Sequence, residues 1–206
     1  MTAGLDHIIL GINDLDRGVA WVEKLTGVRA MFGGVHPGRG TRNALLALGP
    51  IAYLEIMSPD PEQSPPTWFT RVLTLPEPRI IGWAAHASNL SALAQAATSA
   101  GIPIDGPHDG ARSRPAGGML SWKLIRCLDD RGGLLPIILD WGESAHPAQD
   151  APAGCHLERF HIESPDAAEL QRIFTTLSLE VQVERAELPR MVARITTPRG
   201  EVELTS

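Results

Sequence analysis

The order of the predicted strands and helices indicates an α+β fold built from repeated β-α-β-β-β modules. Three observations support it: an apolar strand-like run opens each module, a capped amphipathic helix follows, and the same order returns twice along the chain. The 206 residues are 43% hydrophobic, which is enough to bury a sizeable core. Each module has one apolar sheet face to cover, so we expect neighbouring modules to pair.

The first module spans residues 1–66. Residues 5–12 form an apolar run that is typical of a buried strand. Asp14 is suited to cap a helix that Gly27 ends, and the apolar face of this helix contains Leu15, Val19, Val22 and Leu25. Runs bounded by Gly or Pro then predict two or three further strands, at residues 28–35, 43–49 and 51–57.

The second and third modules span residues 78–142 and 156–206, and polar residues 143–155 form a predicted linker. Residues 1–142 are thus predicted to be a two-module domain. The second module is predicted to have strands at 80–87, 119–128 and 134–141, a helix at 90–100 and a loop-rich stretch at 107–118. The third is predicted to have a helix at 166–177 and strands at 157–164, 179–185, 190–197 and 200–205. An odd number of modules leaves one sheet unpaired, so we expect a homodimer formed through residues 156–206.

Charge and composition narrow the class of function. The net charge is −6, and acidic and basic residues are interspersed, so we expect neither nucleic acid nor an anionic membrane as a partner. The sequence has no apolar run near the roughly 20 residues of a transmembrane helix and no signal-peptide pattern at its start. With only Cys127 and Cys155, it predicts no disulfide framework, and we expect a cytoplasmic protein.

Glu55 and the glycine-rich segment 33–43 are the strongest candidates for a site. Glu55 is a lone carboxylate in an apolar strand, where it needs a cation or a hydrogen-bond donor. Glycines in the segment let the backbone approach a ligand, and Arg39 and Arg42 offer forked donors for an anion. The alternative for this segment is a glycine-rich turn with solvated arginines. Trp122 and Trp141 are expected in the core or in the wall of an apolar pocket.

Three stretches of this sequence resemble the vicinal-oxygen-chelate superfamily and its glyoxalase-like domain proteins, over about residues 4–142. They are Leu5-Asp6-His7-Ile8-Ile9; the segment Gly33 to Asn43 with Tyr53-Leu54-Glu55-Ile56; and Gly82-Trp83 with Arg114 to Gly118 and Leu135 to Trp141. The resemblance implies that the modules form a U-shaped (half-barrel) mixed sheet with the helices outside. It also implies a divalent metal, Zn, Fe, Mn, Ni or Mg, held by His and Glu side chains inside the sheet.

The resemblance also assigns roles to residues of this chain. It implies that His7, Glu55 and Asp140 bind the metal, and that Glu55 and His36 are catalytic. Substrate binding is expected from His36, Arg39, Thr41, Arg42, Asn43, Trp122 and Trp141. Alignment of the helix starts sets Gly82 opposite His7, which departs from the family pattern, and sets Asp140 opposite Glu55.

Three functions follow from these observations. The first is a metal-dependent lyase, isomerase or dioxygenase that acts on a small oxygen-rich or acidic substrate. The second is a metal-free protein that sequesters a small molecule on the same fold. The third is a structural or regulatory dimerisation module. The scaffold alone does not choose among them.

Overall fold

The computed structural model describes residues 3–64, 66–67, 72–114 and 117–206, which form two β-sheets and three α-helices. The predicted α+β class is confirmed. The helices are α1 (Leu15–Thr26), α2 (Leu90–Ser99) and α3 (Ala167–Thr176). The strands of the first sheet are β1 (Gly4–Gly11), β2 (Met31–His36), β3 (Thr41–Ala47), β4 (Tyr53–Pro59), β5 (Arg79–His86), β6 (Ile104–Ser113), β7 (Met119–Cys127) and β8 (Ile137–Asp140). Those of the second are β9 (His156–Ser164), β10 (Gln182–Arg185), β11 (Arg190–Thr197) and β12 (Gly200–Thr205).

Helix α1 begins and ends where its capping residues predict. The side chain of Asp14 accepts a hydrogen bond from the backbone N–H of Arg17 at 2.9 Å, and Gly27 ends the helix with φ 81°. Leu15, Val19 and Val22 are buried against the sheet. The capped amphipathic helix therefore lies on the outer face of the first module.

The first sheet has the strand order β2-β3-β4-β1-β5-β8-β7-β6 and curls into the predicted half-barrel. Strands β1 and β5 pair antiparallel at its centre, with His7 opposite Ala84, and each pairs in parallel with the last strand of its own module. The guanidinium of Arg112 on edge strand β6 donates a hydrogen bond to the carbonyl oxygen of Gly33 on edge strand β2. This bond links the two edges of the sheet across its open side.

The loop predicted at residues 107–118 is wrong over much of its length, because residues 104–113 form strand β6. It pairs antiparallel with β7, with Gly110 opposite Trp122. A Cβ atom at Gly110 would lie 2.4 Å from the indole of Trp122, so the glycine accommodates this ring. The polar and glycine residues of β6 lack the apolar alternation from which a strand is predicted. An edge strand with one open side does not need that alternation.

The main core lies between the outer face of the first sheet, the helices and the second sheet. Trp83 is 1% exposed, and its ring packs against Phe160 and Phe174 with centroid distances of 5.3 and 5.8 Å. Its indole N–H donates to the carbonyl oxygen of Leu134 at 3.0 Å. The aromatic contacts join the second module to the C-terminal residues in one core.

The C-terminal sheet pairs its strands differently from the two modules before it. Its order is β10-β9-β11-β12, so its first strand, β9, pairs with two strands of its own segment. In the larger sheet, β1 and β5 each pair with one strand of their own module and with each other. The hairpin turn predicted at Thr197 to Gly200 connects β11 and β12. The similarity of element order among the three segments therefore does not extend to strand pairing.

The segment predicted as a linker covers part of the inner face of the half-barrel. Ala148 and Ala151 are buried against Leu45, Ala47 and Tyr53 of the first module. The backbone N–H of Ala47 donates to the carbonyl oxygen of Pro152 at 3.0 Å. Within the described residues, no helix is both long and apolar enough to span a membrane.

Candidate active site

His7 and Glu55 lie side by side on the concave face of the half-barrel. Strands β1 and β4 are parallel neighbours, and successive side chains of a strand alternate between the faces of a sheet. Ile8 of β1 and Ile56 of β4 point into the outer core, so His7 and Glu55 point inward. The two side chains are only 6% and 5% exposed, and Nε2 of His7 lies 3.4 Å from Oε2 of Glu55.

Asp6 fixes the orientation of the His7 ring. The pairing of β1 with β5 is irregular between Leu5 and His7, and the side chain of Asp6 is fully buried there. Its Oδ1 accepts a hydrogen bond from Nδ1 of His7 at 2.7 Å. Its Oδ2 accepts from the indole of Trp141 at 2.7 Å and from Nε2 of His146 at 3.1 Å. With its Nδ1 occupied in this way, His7 presents Nε2 to Glu55.

The charges in this cluster support one another. Burial opposes protonation of His7, but the hydrogen bonds and charges of Asp6 and Glu55 outweigh it and raise its pKa to about 9. Burial disfavours the Glu55 carboxylate, but His7, His36 and Asn43 outweigh that effect and lower its pKa to about 2. The pKa of Asp6 is likewise low because His146 and His7 bond to it and overcome the burial. In the absence of a metal, the cluster therefore has two carboxylates around one imidazolium.

His36, Thr41 and Asn43 meet Glu55 from the other side. Nδ1 of His36 lies 2.9 Å from the hydroxyl of Thr41, and Nε2 lies 3.9 Å from Oε1 of Glu55. The amide of Asn43 donates to Oε1 of Glu55 at 2.5 Å, while its own Oδ1 is buried and has no hydrogen-bond partner among the described residues. Burial lowers the pKa of His36, so this imidazole is neutral. The structure therefore brings together five predicted site residues: His7, Glu55, His36, Thr41 and Asn43.

The two predicted arginines, Arg39 and Arg42, lie outside this cluster. Arg39 lies in the exposed turn between β2 and β3, where its charge still acts on His36. Arg42 lies between two inward-facing residues of β3, so it points to the opposite face of the sheet. A different arginine, Arg112 of β6, is 7% exposed, and its charge acts on His36 from the concave side. Arg112 was not predicted as a site residue because its strand was predicted to be a loop.

The second module has apolar residues where the first has His7 and Glu55. Ile9 pairs with Glu55 in the first module, and the corresponding pair in the second is Ala84 with Ile137. By this register, Ile137 and not Asp140 is the counterpart of Glu55 in the second module, and Gly82 is the counterpart of His7.

Asp140 follows Leu139, which packs on the concave face, so the two point in opposite directions. Oδ1 of Asp140 accepts from the backbone N–H of Gly142 at 2.9 Å. The structure therefore does not bring Asp140 together with His7 and Glu55.

Trp122 and Trp141 form an apolar wall on the concave face of the second module. Their rings are 5.5 Å apart and tilted by 57°, and they pack with Leu124 and Leu139. The indole N–H of Trp141 also donates a hydrogen bond to Oδ2 of Asp6. The ring of His146, which the sequence did not single out, lies between Trp141 and Tyr53, at centroid distances of 5.8 and 5.6 Å.

Two hollows lie apart from His7 and Glu55. An open groove of about 840 Å³ lies on the helix side of the sheet, between α2 and α3. A shallower one of about 250 Å³ is lined by His86, Asp140, Trp141 and His146. The second adjoins the Asp6 side of the candidate site, so we base the site on its polar side chains rather than on the size of a cavity.

The family model for the glyoxalase-like domain matches residues 5–178, which is most of the chain. The chain belongs to this family. It is thus a glyoxalase-like protein of the vicinal-oxygen-chelate superfamily, as its residues predict. No curated protein matches the chain.

Solved structures share the fold of this glyoxalase-like chain. A hypothetical protein from Staphylococcus aureus is 16% identical, with a TM-score of 0.69 over 91% of this chain and 88% of its own. A methylmalonyl-CoA epimerase in complex with methylmalonyl-CoA and NH4+ is 18% identical, with a TM-score of 0.50 over 71% and 100%. A methylmalonyl-CoA epimerase from Mycobacterium tuberculosis is 26% identical, with a TM-score of 0.48 over 68% and 88%.

The first module of this glyoxalase-like chain has side chains of the types that bind divalent cations. The neutral imidazole of His36 and the carboxylate of Glu55 are acceptors, and His7 becomes one through Nε2 when it loses its proton. Asp6 bonds to the other nitrogen of His7 and Thr41 to that of His36, the kind of support that metal-binding imidazoles have in proteins. Asn43 adds a buried Oδ1 without a partner.

A second group with metal-binding chemistry lies on the C-terminal sheet. One ligand atom from each of His161, Glu163 and Glu184 lies within 4.8 Å of the other two. Both carboxylates are also paired with arginines, Glu163 with Arg190 at 2.5 Å and Glu184 with Arg159. The group can therefore also be described as a network of ion pairs. A measurement of metal content must distinguish an ion bound here from an ion bound at the concave site.

Proposed function

We propose that this glyoxalase-like protein is a metal-dependent enzyme that moves a proton on a small oxygen-rich or acidic substrate, as a lyase or isomerase does. The observation that supports it is the position of Glu55, an ionised carboxylate that is 5% exposed between the imidazoles of His7 and His36. A buried carboxylate beside two imidazoles is typical of sites that bind a cation or transfer protons. A dioxygenase reaction uses the same ligand types and is the other metal-dependent chemistry within this proposal.

The side chains of the first module have separable roles in this proposal. His7 and Glu55 would hold a divalent cation, with His36 as the nearest further donor. Such an ion, when bound, supplies Lewis-acid stabilisation of negative charge on substrate oxygens. Glu55 is the candidate proton acceptor, and Asn43 holds its Oε1 in place through the 2.5 Å hydrogen bond. Asp6 and Thr41 orient the two imidazoles.

Neighbouring aromatic residues keep water away from this proton transfer. Tyr53 stacks on the His7 ring at 4.5 Å and is 4% exposed. Trp141 and His146 close the Asp6 side. A low local dielectric strengthens every charge interaction at Glu55, which favours a reaction that develops negative charge.

A metal-free binding protein is the second candidate. Gly82 and Ile137 favour it, because they occupy the two places in the second module where a further imidazole and carboxylate would complete a four-ligand site. Self-association through residues 156–206 also stays a prediction. The edge strands of that sheet are β10 and β12.

Metal content tests the proposal. The protein is purified without chelator or metal-affinity resin, and its divalent ions are counted by elemental analysis beside Glu55→Gln, His7→Ala and His161→Ala variants. We expect about one ion per chain, lost in the first two variants and retained in the third. Loss only in His161→Ala would transfer the ion to the C-terminal sheet. Folded wild-type protein without metal, which gains no thermal stability from added Zn, Mn, Ni or Mg, would favour the binding protein.

A further inference from the structure

Arg112 is a buried cation with one hydrogen bond from its guanidinium among the described residues. It is 7% exposed, and Nη1 donates to the carbonyl oxygen of Gly33. Across the described ranges, it forms no ion pair with a carboxylate, whereas Arg114 two residues later pairs with Asp150 at 2.8 Å. A guanidinium has five N–H donors, so the single bond to Gly33 leaves most of its capacity unused.

A buried guanidinium without a counter-ion is costly. Taking such a charge out of water costs several kcal/mol unless an anion and further hydrogen bonds offset it. Burial accordingly lowers the pKa of Arg112, and the charge of Glu55 opposes that shift. Glu55 already accepts from Asn43 and faces His7, so its oxygens are engaged elsewhere.

The position of Arg112 relates it to the candidate chemistry. Arg112 donates to Gly33, where a Cβ atom would lie 2.5 Å from Oδ1 of Asn43, so it belongs to the same polar region of the concave face. Its charge also acts on both His36 and Glu55, the two predicted catalytic residues. It enters from β6 in the second module, opposite the first-module residues His7 and Glu55. An anionic group on Arg112 would therefore hold the rest of a small molecule against Glu55.

We propose that Arg112 binds the carboxylate of the substrate, and that the substrate is a small α-keto or α-hydroxy acid. This inference rests on the proposed function, because it places a carbon next to the keto or hydroxy group beside Glu55. The planar guanidinium matches a carboxylate with two parallel hydrogen bonds. The neighbouring side chains are almost fully buried, which favours a small acid over a bulky ester.

The alternative is that Arg112 is only a latch, that is, a structural link between the two edge strands with no role in ligand binding. Its bond to Gly33 joins β6 to β2, and a latch needs no ligand. A latch predicts that substitution of Arg112 lowers stability and leaves any preference between charged and neutral ligands unchanged. The two accounts therefore differ in ligand discrimination rather than in stability.

Matched pairs of ligands test the proposal. Binding of glyoxylate, pyruvate and oxaloacetate to the protein as purified is compared by calorimetry with that of their methyl esters, in wild type, Arg112→Gln, Arg112→Lys and the exposed control Arg126→Gln. We expect at least one acid to bind about ten-fold or more tighter than its ester, as a charge-assisted pair predicts. Arg112→Gln should abolish this ratio, Arg112→Lys should keep part of it, and Arg126→Gln should keep it. An unchanged ratio in Arg112→Gln, or no wild-type preference for any acid, would overturn the proposal.

Two further measurements separate the possible failures. In wild-type protein, the guanidinium N–H resonances of Arg112 should shift with the preferred acid and not with its ester, which needs no variant to fold. Exchange of the methyl protons of pyruvate in heavy water reports proton abstraction, and it should be lost in Glu55→Gln. Carboxylate preference through Arg112 without metal or exchange would refute the proposed enzyme and retain the anion site. Exchange without that preference would support the proposed enzyme and refute the anion site at Arg112.

Discussion

The imidazole of His7 faces the carboxylate of Glu55 across 3.4 Å, between two parallel strands of the same module. Asp6 holds the opposite nitrogen of the same ring at 2.7 Å. One imidazole thus lies between two buried carboxylates, and a proton and a metal ion would compete for its Nε2 atom.

We expect His7 to titrate with a pKa near 9 in metal-free protein, well above its ordinary value of 6.5. Because folding raises this pKa, the stability that His7 contributes is complete below pH 6.5 and is lost as the pH rises through 9. NMR titration of the ring and denaturation at several pH values measure both effects.

His7→Gln is the control for this titration, and it should remove the part of the pH dependence that lies between 6.5 and 9. Added metal should bind more tightly as the pH rises through the same range, since it displaces the proton. A His7 ring that titrates at or below 6.5 in metal-free protein would contradict the arrangement with Asp6 and Glu55.

Gly33→Ala should disturb the site through Asn43. A Cβ atom at Gly33 would lie 2.5 Å from Oδ1 of Asn43 and 2.9 Å from Cγ of Leu45. We expect a loss of about 1–3 kcal/mol in the free energy of unfolding, together with weaker metal retention. Gly82→Ala is the matched control on the same face, where the nearest atom is Cδ1 of Ile9 at 3.9 Å. Equal stability of the two variants would show that Gly33 is not constrained by Asn43.

His146→Ala should destabilise the protein although residue 146 lies in the predicted linker. Nδ1 of His146 accepts from the backbone N–H of Ala148 at 3.2 Å, so Nε2 has the proton and donates it to Asp6. Loss of this bond to a charged group costs about 1.5–3 kcal/mol, as urea denaturation would measure. His156→Ala, at an exposed position, should change stability by less than about 0.5 kcal/mol. Comparable effects of both substitutions would mean that the segment does not support Asp6.

Both thiols should resist a thiol reagent in the native protein. Cys127 and Cys155 are free and buried, and burial raises the pKa of Cys127 to about 11 and also that of Cys155. Thiolate is the reactive form, so we expect slow labelling at pH 8 and complete labelling after denaturation. Fast reaction of one thiol in native protein would identify a reactive cysteine that the structure does not explain.

The fold of the first module could be predicted closely from its local signals. Asp14 and Gly27 fix the ends of α1, and alternation places His7 and Glu55 on one face. Strand β6 could not be predicted in this way, because its polar and glycine residues lack a strand pattern. Arg112 lies on this strand, so the strand and the residue were missed for the same reason.

The candidate site was predictable only where its residues share a module. His36, Thr41 and Asn43 are close in sequence, and Glu55 follows on the next strand. The contact of Asp6 with His146 joins residues 140 positions apart, and it depends on how the chain folds back over the sheet. Asp140 was matched to Glu55 by position along the chain, whereas the strand register selects Ile137.

The different contents of the two halves also bear on how sequences in this family can diverge. In the proposed enzyme, His7 and Glu55 in the first half would be constrained by chemistry, whereas Gly82 and Ile137 in the second would need only to satisfy packing. An ancestral duplication that left one half with the polar cluster would free the other half to change the shape and charge of the opposing wall. Substrate preference would then drift through strands β6 to β8 while the reactive residues stay fixed.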